Sequence, residues 1–153
     1  ADAMATDVLP WFRRSYAISA DPLDHVVGGF SIGANTAFFL ALRHPEVFGS
    51  VLSQDGTPGV GRALPQMFID GPKSHLRVYM VHSVYNLPDT SVDEIATLKD
   101  TLGSGPRLRD VLLAKGHDVT YREAGGTHDW LYVRSTLPDA LMALLPARAS
   151  TPQ

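Results

Sequence analysis

Short apolar segments that alternate with amphipathic ones run along most of this sequence. The apolar segments have the length and composition of buried strands and occupy residues 26–30, 47–53, 77–82 and 119–123. Between them, apolar residues recur at intervals of three and four positions, which is typical of a helix with one buried face. Strands that alternate with helices form a parallel sheet covered on both faces. The sequence therefore predicts an α/β fold whose active residues lie in loops at the carboxyl ends of the strands.

The predicted helices complete the outline of a single domain. We expect them at residues 3–16, 32–43, 64–69, 90–102 and 106–115, followed by a last helix marked by Leu137, Leu141, Leu144 and Leu145. A chain of 153 residues with 44% hydrophobic content is long enough to bury one core and too short for two. We assign residues 1–146 to this domain and expect residues 147–153 to form a frayed polar tail.

Composition excludes several classes of function. The net charge is −3 and charges of both signs are mixed along the chain, so no basic surface is predicted that could bind nucleic acid. The absence of cysteine excludes a disulfide framework, a thiolate zinc site and a cysteine nucleophile. No apolar run approaches the roughly 20 residues of a membrane span. We expect a soluble protein and favour a cytoplasmic location.

No motif predicts a metal ion or an organic cofactor. The H-E-x-x-H spacing of zinc hydrolases is missing from the sequence. The glycines Gly56, Gly59 and Gly61 do not form a phosphate-binding loop that opens a helix. We therefore expect chemistry that uses side chains alone.

The sharpest motif joins the first predicted strand to the helix that follows it. Its five residues are Gly29-Phe30-Ser31-Ile32-Gly33, which fit the G-x-S-x-G pattern of a serine nucleophile. A serine on such a tight turn projects its hydroxyl above the sheet, and the flanking glycines leave room that a Cβ would obstruct. The amide of Ile32 then points at the site as an oxyanion donor, supported by the N-terminal end of the helix.

A serine hydroxyl needs a general base, and six histidines compete for that role. His128 follows the last predicted strand in a glycine-bearing loop that can carry the imidazole back over the sheet toward Ser31. Its place near the end of the chain agrees with the order serine, acid, histidine of this arrangement. We expect surface positions for His25, His44, His75 and His117. A structural role is expected for His82, which ends the third strand.

The sequence does not decide which residue is the acid of the predicted triad. It is expected just beyond the third strand, where Asn86 is the first polar residue after two apolar ones and Asp89 is the nearest carboxylate. Asp55 follows the second strand and could approach the same imidazole from the neighbouring loop. We place Asp89 first and Asp55 second, ahead of a Ser-His pair that works without a carboxylate.

Several segments, taken in order, resemble one known family. They include Leu9-Pro10-Trp11 and residues 28–33, 41–49, 51–54, 108–116 and 126–130. In these segments the sequence resembles the enterochelin esterase group of esterases, also called esterase D-like α/β-hydrolases, over nearly all of its length. The resemblance implies an α/β-hydrolase sheet flanked by helices. It also implies a serine esterase in which Ser31 and His128 take the matching catalytic positions.

The sequence departs from that family in two respects. The family usually has Glu or Asp where this chain has Asn86, and Ser where this chain has Asp55, as if the acid had moved between strands. The family also has further strands before the first helix, with a loop that gives a second oxyanion amide. We therefore expect the chain to be the C-terminal part of a longer domain, and to form a homo-oligomer or a complex with the missing N-terminal segment.

Together these residues predict a serine esterase that hydrolyses small carboxylic esters through an acyl-enzyme on Ser31. An acyltransferase would use the same acyl-enzyme and transfer it to an alcohol. A third possibility is a truncated, non-catalytic module of the same fold, since the absent second oxyanion donor is worth about 3 kcal/mol in a comparable hydrolase.

Overall fold

The computed structural model describes residues 2–56, 63–84 and 104–145. Within these ranges, four strands and five α-helices follow one another along the chain. They are α1 (Leu9–Ser15), β1 (Val26–Phe30), α2 (Ile32–Arg43), β2 (Ser50–Gln54), α3 (Leu64–Asp70), β3 (Arg77–Ser83), α4 (Ser104–Ala114), β4 (Asp118–Ala124) and α5 (Trp130–Leu144). The predicted helix at residues 90–102 and the predicted tail at residues 147–153 lie outside the described residues.

The four strands form one parallel sheet in the order β1-β2-β3-β4. The register brings the carboxyl ends of the strands to one edge, because Phe30 lies opposite Gln54 and Gln54 lies opposite Val81. This topology confirms the predicted α/β fold. It also gathers the loops that follow the strands on one side of the sheet.

Hydrogen bonds continue past the strand ends along this edge. The amide of Ser31, the first residue after β1, donates to the carbonyl of Gln54 in β2 at 2.9 Å. The amide of Asp55, directly after β2, donates in the same way to Val81 of β3 at 2.9 Å. The amide of Val84, after β3, donates to the last carbonyl of β4 at 3.1 Å. The residue that follows each of these three strands is therefore fixed to the next strand.

Two apolar clusters cover the two faces of the sheet, as the alternation of side chains along a strand requires. Val78 and Met80 of β3 belong to one cluster, and Tyr79 and Val81 belong to the other. The first cluster packs against α2, α3 and α4 through Phe38, Phe68, Leu108 and Leu112. The second packs against α5 through Tyr132, Ala140 and Leu144. The sheet thus lies between helices, which gives three layers.

Two element boundaries differ from the sequence prediction. The strand expected at residues 47–53 is Ser50–Gln54, because Val47 and Phe48 lie in a turn in which both amides donate to the carbonyl of His44. The helix expected at residues 3–16 consists of a π-helical turn at Met4–Val8 followed by α1. Apolar residues in a turn that packs on the core look the same in sequence as apolar residues in a strand.

In the described part of the chain, β1 has a hydrogen-bonded neighbour on one side only, namely β2. Unpaired strand edges of this kind tend to recruit a further strand. The expectation that another chain or segment pairs with this edge stays a prediction. Across residues 2–56, 63–84 and 104–145, no helix combines the length and the apolar character needed to cross a bilayer.

Candidate active site

Ser31 occupies a sharp turn between β1 and α2. Its backbone has φ 59° and ψ −124°, a conformation that L-residues rarely adopt. The turn is held by the Ser31 amide, which donates to Gln54, and by the Ser31 carbonyl, which accepts from the amide of Ala34 at 3.1 Å. A strained strand-to-helix turn of this kind carries the nucleophile in α/β-hydrolase elbows, and it agrees with the G-x-S-x-G prediction.

The two glycines of the motif differ in what surrounds them. A Cβ at Gly29 would lie 2.3 Å from the carbonyl carbon of Gly33 and 2.8 Å from the amide nitrogen of Ala34, so the turn has no space for one. A Cβ at Gly33 would meet no heavy atom within 4 Å in the part of the chain that the structure describes. The steric requirement predicted for both glycines therefore holds for Gly29 alone.

His128 lies in the loop between β4 and α5, and its imidazole reaches Ser31 across 97 positions of sequence. Its Nε2 is 2.9 Å from the hydroxyl oxygen of Ser31, and its Nδ1 is 3.3 Å from Oδ2 of Asp55. An ionised carboxylate can only accept hydrogen bonds, so Nδ1 donates to Asp55 and Nε2 is left to accept from the serine hydroxyl. This tautomer is the one that a general base for Ser31 requires.

Asp55 directly follows β2 and adopts a positive φ of 48°. Its side chain is 2% exposed, so its charge must be balanced by hydrogen bonds. Oδ1 accepts from the backbone amide of Ser83 at 2.6 Å, and Oδ2 accepts from the Ser83 hydroxyl at 2.7 Å. The structure thus brings Ser31, His128 and Asp55 together. Asp89, the other carboxylate considered from the sequence, lies outside the described residues.

The loop that carries His128 is anchored on both sides. Asp129 caps the N-terminus of α5 by accepting from the amide of Tyr132 at 2.9 Å, and it also accepts from the hydroxyl of Thr127. The bond from Thr127 contributes most to holding the pKa of Asp129 below its ordinary value. Gln54 ties β2 to α5 because its side-chain amide donates to the carbonyl of Val133 and to Oγ1 of Thr136, both at 2.8 Å.

An aromatic ring packs against the imidazole of His128. The ring of Phe30 lies 4.3 Å from the imidazole centroid at an interplanar angle of 34°, and the indole of Trp130 lies 5.5 Å from Phe30. Trp130 is 71% exposed, so the aromatic pair that it forms with Phe30 is open to solvent. The ring of Phe30 therefore lies against the imidazole and limits how far the imidazole can turn on that side.

Ile32 opens α2, so its amide belongs to the first turn, whose N–H groups have no partner within the helix. This position agrees with the oxyanion role predicted for it. The Ile32 side chain also lines a cavity of about 210 Å³ between α2 and α3. The other lining residues are Asn35, Thr36, Phe39, Ala63, Leu64 and Met67. The lining is mainly apolar, and the hydroxyl of Thr36 donates back to the carbonyl of Ile32 at 3.0 Å.

The remaining histidines have structural surroundings. His75 is exposed as predicted, whereas His117 is 5% exposed and its Nδ1 accepts from the amide of Leu76 at 3.1 Å, so the surface prediction for His117 is wrong. His25 is half-buried and contacts two backbone carbonyls, and half-buried His44 contacts two carboxylates. Burial lowers the pKa of His82, whose Nε2 finds no hydrogen-bond partner among the described residues.

Ser83 and Phe30 are the residues that the sequence reasoning missed. Phe30 occupies a variable position of the nucleophile motif, and Ser83 is one of many hydroxyl residues near strand ends. Neither residue type carries a specific signal on its own.

In the described ranges, no three His, Asp or Glu side chains come together in a metal-binding arrangement.

Residues 1–144 match the model of the family described as "Putative esterase". No curated protein sequence matches the chain. Solved structures are similar over almost its whole length. The enterochelin esterase of Shigella flexneri is 22% identical with a TM-score of 0.72, over 94% of this chain and 36% of that one.

Two further structures have the same architecture. The ferric enterobactin esterase of Salmonella typhimurium is 25% identical with a TM-score of 0.73, over 93% of this chain and 35% of that one. A ferulic acid esterase is 15% identical with a TM-score of 0.69, over 94% of this chain and 60% of that one. The chain thus spans about a third of the length of the enterobactin esterases. The likeness establishes the α/β-hydrolase fold and confirms the resemblance to enterochelin esterases.

Proposed function

Because the chain belongs to the "Putative esterase" family, whose model it matches over residues 1–144, we propose that it provides the catalytic residues of a serine esterase. The observation that carries the proposal is the bridging position of His128. Its two ring nitrogens lie 2.9 Å from the Ser31 hydroxyl and 3.3 Å from the Asp55 carboxylate. Nucleophile, base and acid in this order of contact can activate a serine hydroxyl that is unreactive on its own at neutral pH.

In the proposed reaction, Oγ of Ser31 attacks the carbonyl carbon of a carboxylic ester while its proton passes to Nε2 of His128. The Ile32 amide donates to the oxyanion that forms. The intermediate then expels the alcohol, which takes its proton from His128, and an acyl group remains on Ser31. His128 next removes a proton from water, which attacks the acyl carbonyl. The carboxylic acid is released and Ser31 recovers its proton.

Asp55 supports both halves of this cycle. Its buried carboxylate accepts from Nδ1 and keeps the imidazole in the tautomer whose Nε2 faces Ser31. The same carboxylate stabilises the positive charge that His128 carries after each proton transfer. We therefore propose Asp55 as the acid of the triad, in preference to Asp89.

The proposed substrates are small carboxylic esters with an apolar group. The support is the cavity of about 210 Å³ beside Ile32, which begins one residue after the nucleophile. Its wall combines Phe39, Leu64 and Met67, which suit a short alkyl chain or a single ring. The polar end of such an ester would then lie at the N-terminal end of α2, where the oxyanion develops.

The proposal is tested with a fluorophosphonate probe, which reacts with activated serine hydroxyls. We expect the probe to label the complete protein at Ser31 and to leave the Ser31→Ala variant unlabelled. Ser135→Ala is the matched control, because its hydroxyl donates to the carbonyl of Tyr132 within α5 and bonds none of Ser31, His128 and Asp55. Labelling that persists in Ser31→Ala, or that is absent from the wild-type protein, would contradict the proposal. Product analysis with an added alcohol separates hydrolysis from acyl transfer.

A further inference from the structure

Ser83, the last residue of β3, binds the carboxylate of Asp55 through two different groups. Its backbone amide donates to Oδ1 at 2.6 Å, and its hydroxyl donates to Oδ2 at 2.7 Å. One residue thus holds both oxygens of the carboxylate. The hydroxyl contact is shorter than the 3.3 Å contact that the same Oδ2 makes with His128.

The sheet brings the two residues together. The amide of Asp55 donates to the carbonyl of Val81 at 2.9 Å, which fixes the backbone of Asp55 against β3 two residues before Ser83. With φ at 48°, the chain turns at Asp55, and its carboxylate lies over the end of β3. Asp55 therefore follows β2 in sequence, whereas its carboxylate is bound by the neighbouring strand β3.

The carboxylate needs these donors because it is buried. The Asp55 side chain is 2% exposed, so solvent cannot stabilise its charge. In the described part of the chain, this carboxylate accepts from the two groups of Ser83 and from Nδ1 of His128. The two Ser83 bonds fix the carboxylate plane, and this plane determines where Oδ2 meets the imidazole.

We infer that Ser83 is the positioning residue of the proposed triad, which aims Oδ2 of Asp55 at Nδ1 of His128. The inference rests on the proposed role of Asp55 as the acid. Ser83 touches no reacting atom, so it acts on the reaction only through Asp55. Without the hydroxyl, the carboxylate keeps the backbone donor on Oδ1 and can rotate about that contact, which moves Oδ2 away from the imidazole.

The test compares variants that differ at the hydroxyl alone. Ser83→Ala removes the hydroxyl and keeps the backbone amide, so we expect kcat to fall about tenfold with little change in KM, on the scale of one hydrogen bond to a charged group. Ser83→Thr keeps a hydroxyl and should recover most of kcat, while Ser83→Cys, with its weaker donor, should lie between them. Ser50→Ala is the matched control, because its hydroxyl donates to the carbonyl of Leu23 at 2.7 Å at the opposite end of β2.

A double-mutant cycle shows whether Ser83 acts through Asp55. If it does, adding Ser83→Ala to Asp55→Asn lowers kcat no further. A further drop as large as that in the wild-type background would overturn the inference, because Ser83 would then act by another route. Wild-type kcat in Ser83→Ala alongside a severe Asp55→Asn defect would also overturn it and leave the triad standing. An Asp55→Asn variant with wild-type kcat would remove the proposed acid itself, and the role of Ser83 with it.

Discussion

Ser31 and Asp55 both adopt a positive φ, at 59° and 48°, and each directly follows one of two neighbouring strands. Among the described residues, they are the two that do so without being glycine. Such conformations cost about 1–3 kcal/mol each and persist where the surrounding structure enforces them. Here each is enforced by a hydrogen bond to the adjacent strand. The coincidence of strain at the proposed nucleophile and at the proposed acid favours a shared catalytic role.

The two candidate acids can be distinguished by the kcat values of two variants, Asp55→Asn and Asp89→Asn. Asp55→Asn should lower kcat by up to about 10⁴, as loss of the carboxylate does in a serine-protease triad, because the imidazole loses its preferred tautomer. Asp89→Asn should leave kcat near the wild-type value. Steady-state kinetics on a small aryl ester gives both numbers. If the larger defect falls on Asp89→Asn, Asp89 is the acid, and if both defects are small, Ser31 and His128 work as a pair.

The two glycines of the nucleophile motif should respond differently to alanine. Gly29→Ala places a Cβ 2.3 Å from the carbonyl carbon of Gly33, so the turn must open and Ser31 must move. We expect Gly29→Ala to lose probe labelling and to unfold at a lower temperature. Gly33→Ala adds its Cβ to open space and should keep both properties, which makes it the control. Equal effects at the two positions would mean that the packing of the turn differs from the one described.

Replacing Phe30 should lower the rate at which Ser31 reacts and should have little effect on substrate binding. Phe30→Leu removes the ring that lies 4.3 Å from the imidazole of His128, and an aromatic contact of this kind is worth about 0.5–1.5 kcal/mol. We expect probe labelling to slow about three- to tenfold, since the freed imidazole spends less time in line with Ser31. Phe30→Tyr keeps the ring and should label at nearly the wild-type rate. An unchanged rate in Phe30→Leu would show that the ring does not restrict the base.

Buried His117 should make the stability of the fold depend on pH. Burial, together with the nearby charges of His75 and Lys115, holds the pKa of His117 below its ordinary value of 6.5. The unfolded chain therefore takes up a proton first as the pH falls below about 6.5, and the free energy of unfolding decreases there. Half-buried His82, whose pKa is also lowered, mainly by desolvation, contributes in the same direction.

The variant His117→Asn tests this contribution, because the asparagine side-chain oxygen can replace Nδ1 as acceptor for the amide of Leu76. It should be less stable than the wild type at pH 7.5, since a ring is lost from a buried site. Its free energy of unfolding should nevertheless fall less between pH 7 and pH 5, as measured by urea unfolding. A fall as steep as that of the wild type would assign the pH dependence to other groups.

The sequence predicts much of the fold because its signals are local. Apolar segments and helical spacing predicted all four strands and most helices within a few residues, and the motif around Ser31 lies in the predicted turn. The start of the last helix at Trp130 was not predicted, because its spacing is regular only from Leu137 onward. The pairing of Ser31 with His128 was accessible as well, since both follow strands that end at one edge. The sequence could not choose between the candidate acids, because Asp55 and Asp89 both follow strands that end at this edge. The structure places Asp55 within 3.3 Å of His128, whereas Asp89 lies outside the described residues. His117 was misjudged for a similar reason, as its partner Leu76 lies 41 positions away.

Three hydrogen bonds connect successive strands at their carboxyl ends: from Ser31 to β2, from Asp55 to β3 and from Val84 to β4. A slip of one residue between β1 and β2 would separate Ser31 from Gln54 and carry the hydroxyl away from His128. The proposed contact between Ser31 and His128 therefore requires the native strand register. A chain that has collapsed with its strands mispaired should not react with the probe, even if its helices have formed. During refolding, probe reactivity should accordingly appear together with the last cooperative step, after helical circular dichroism has begun to recover.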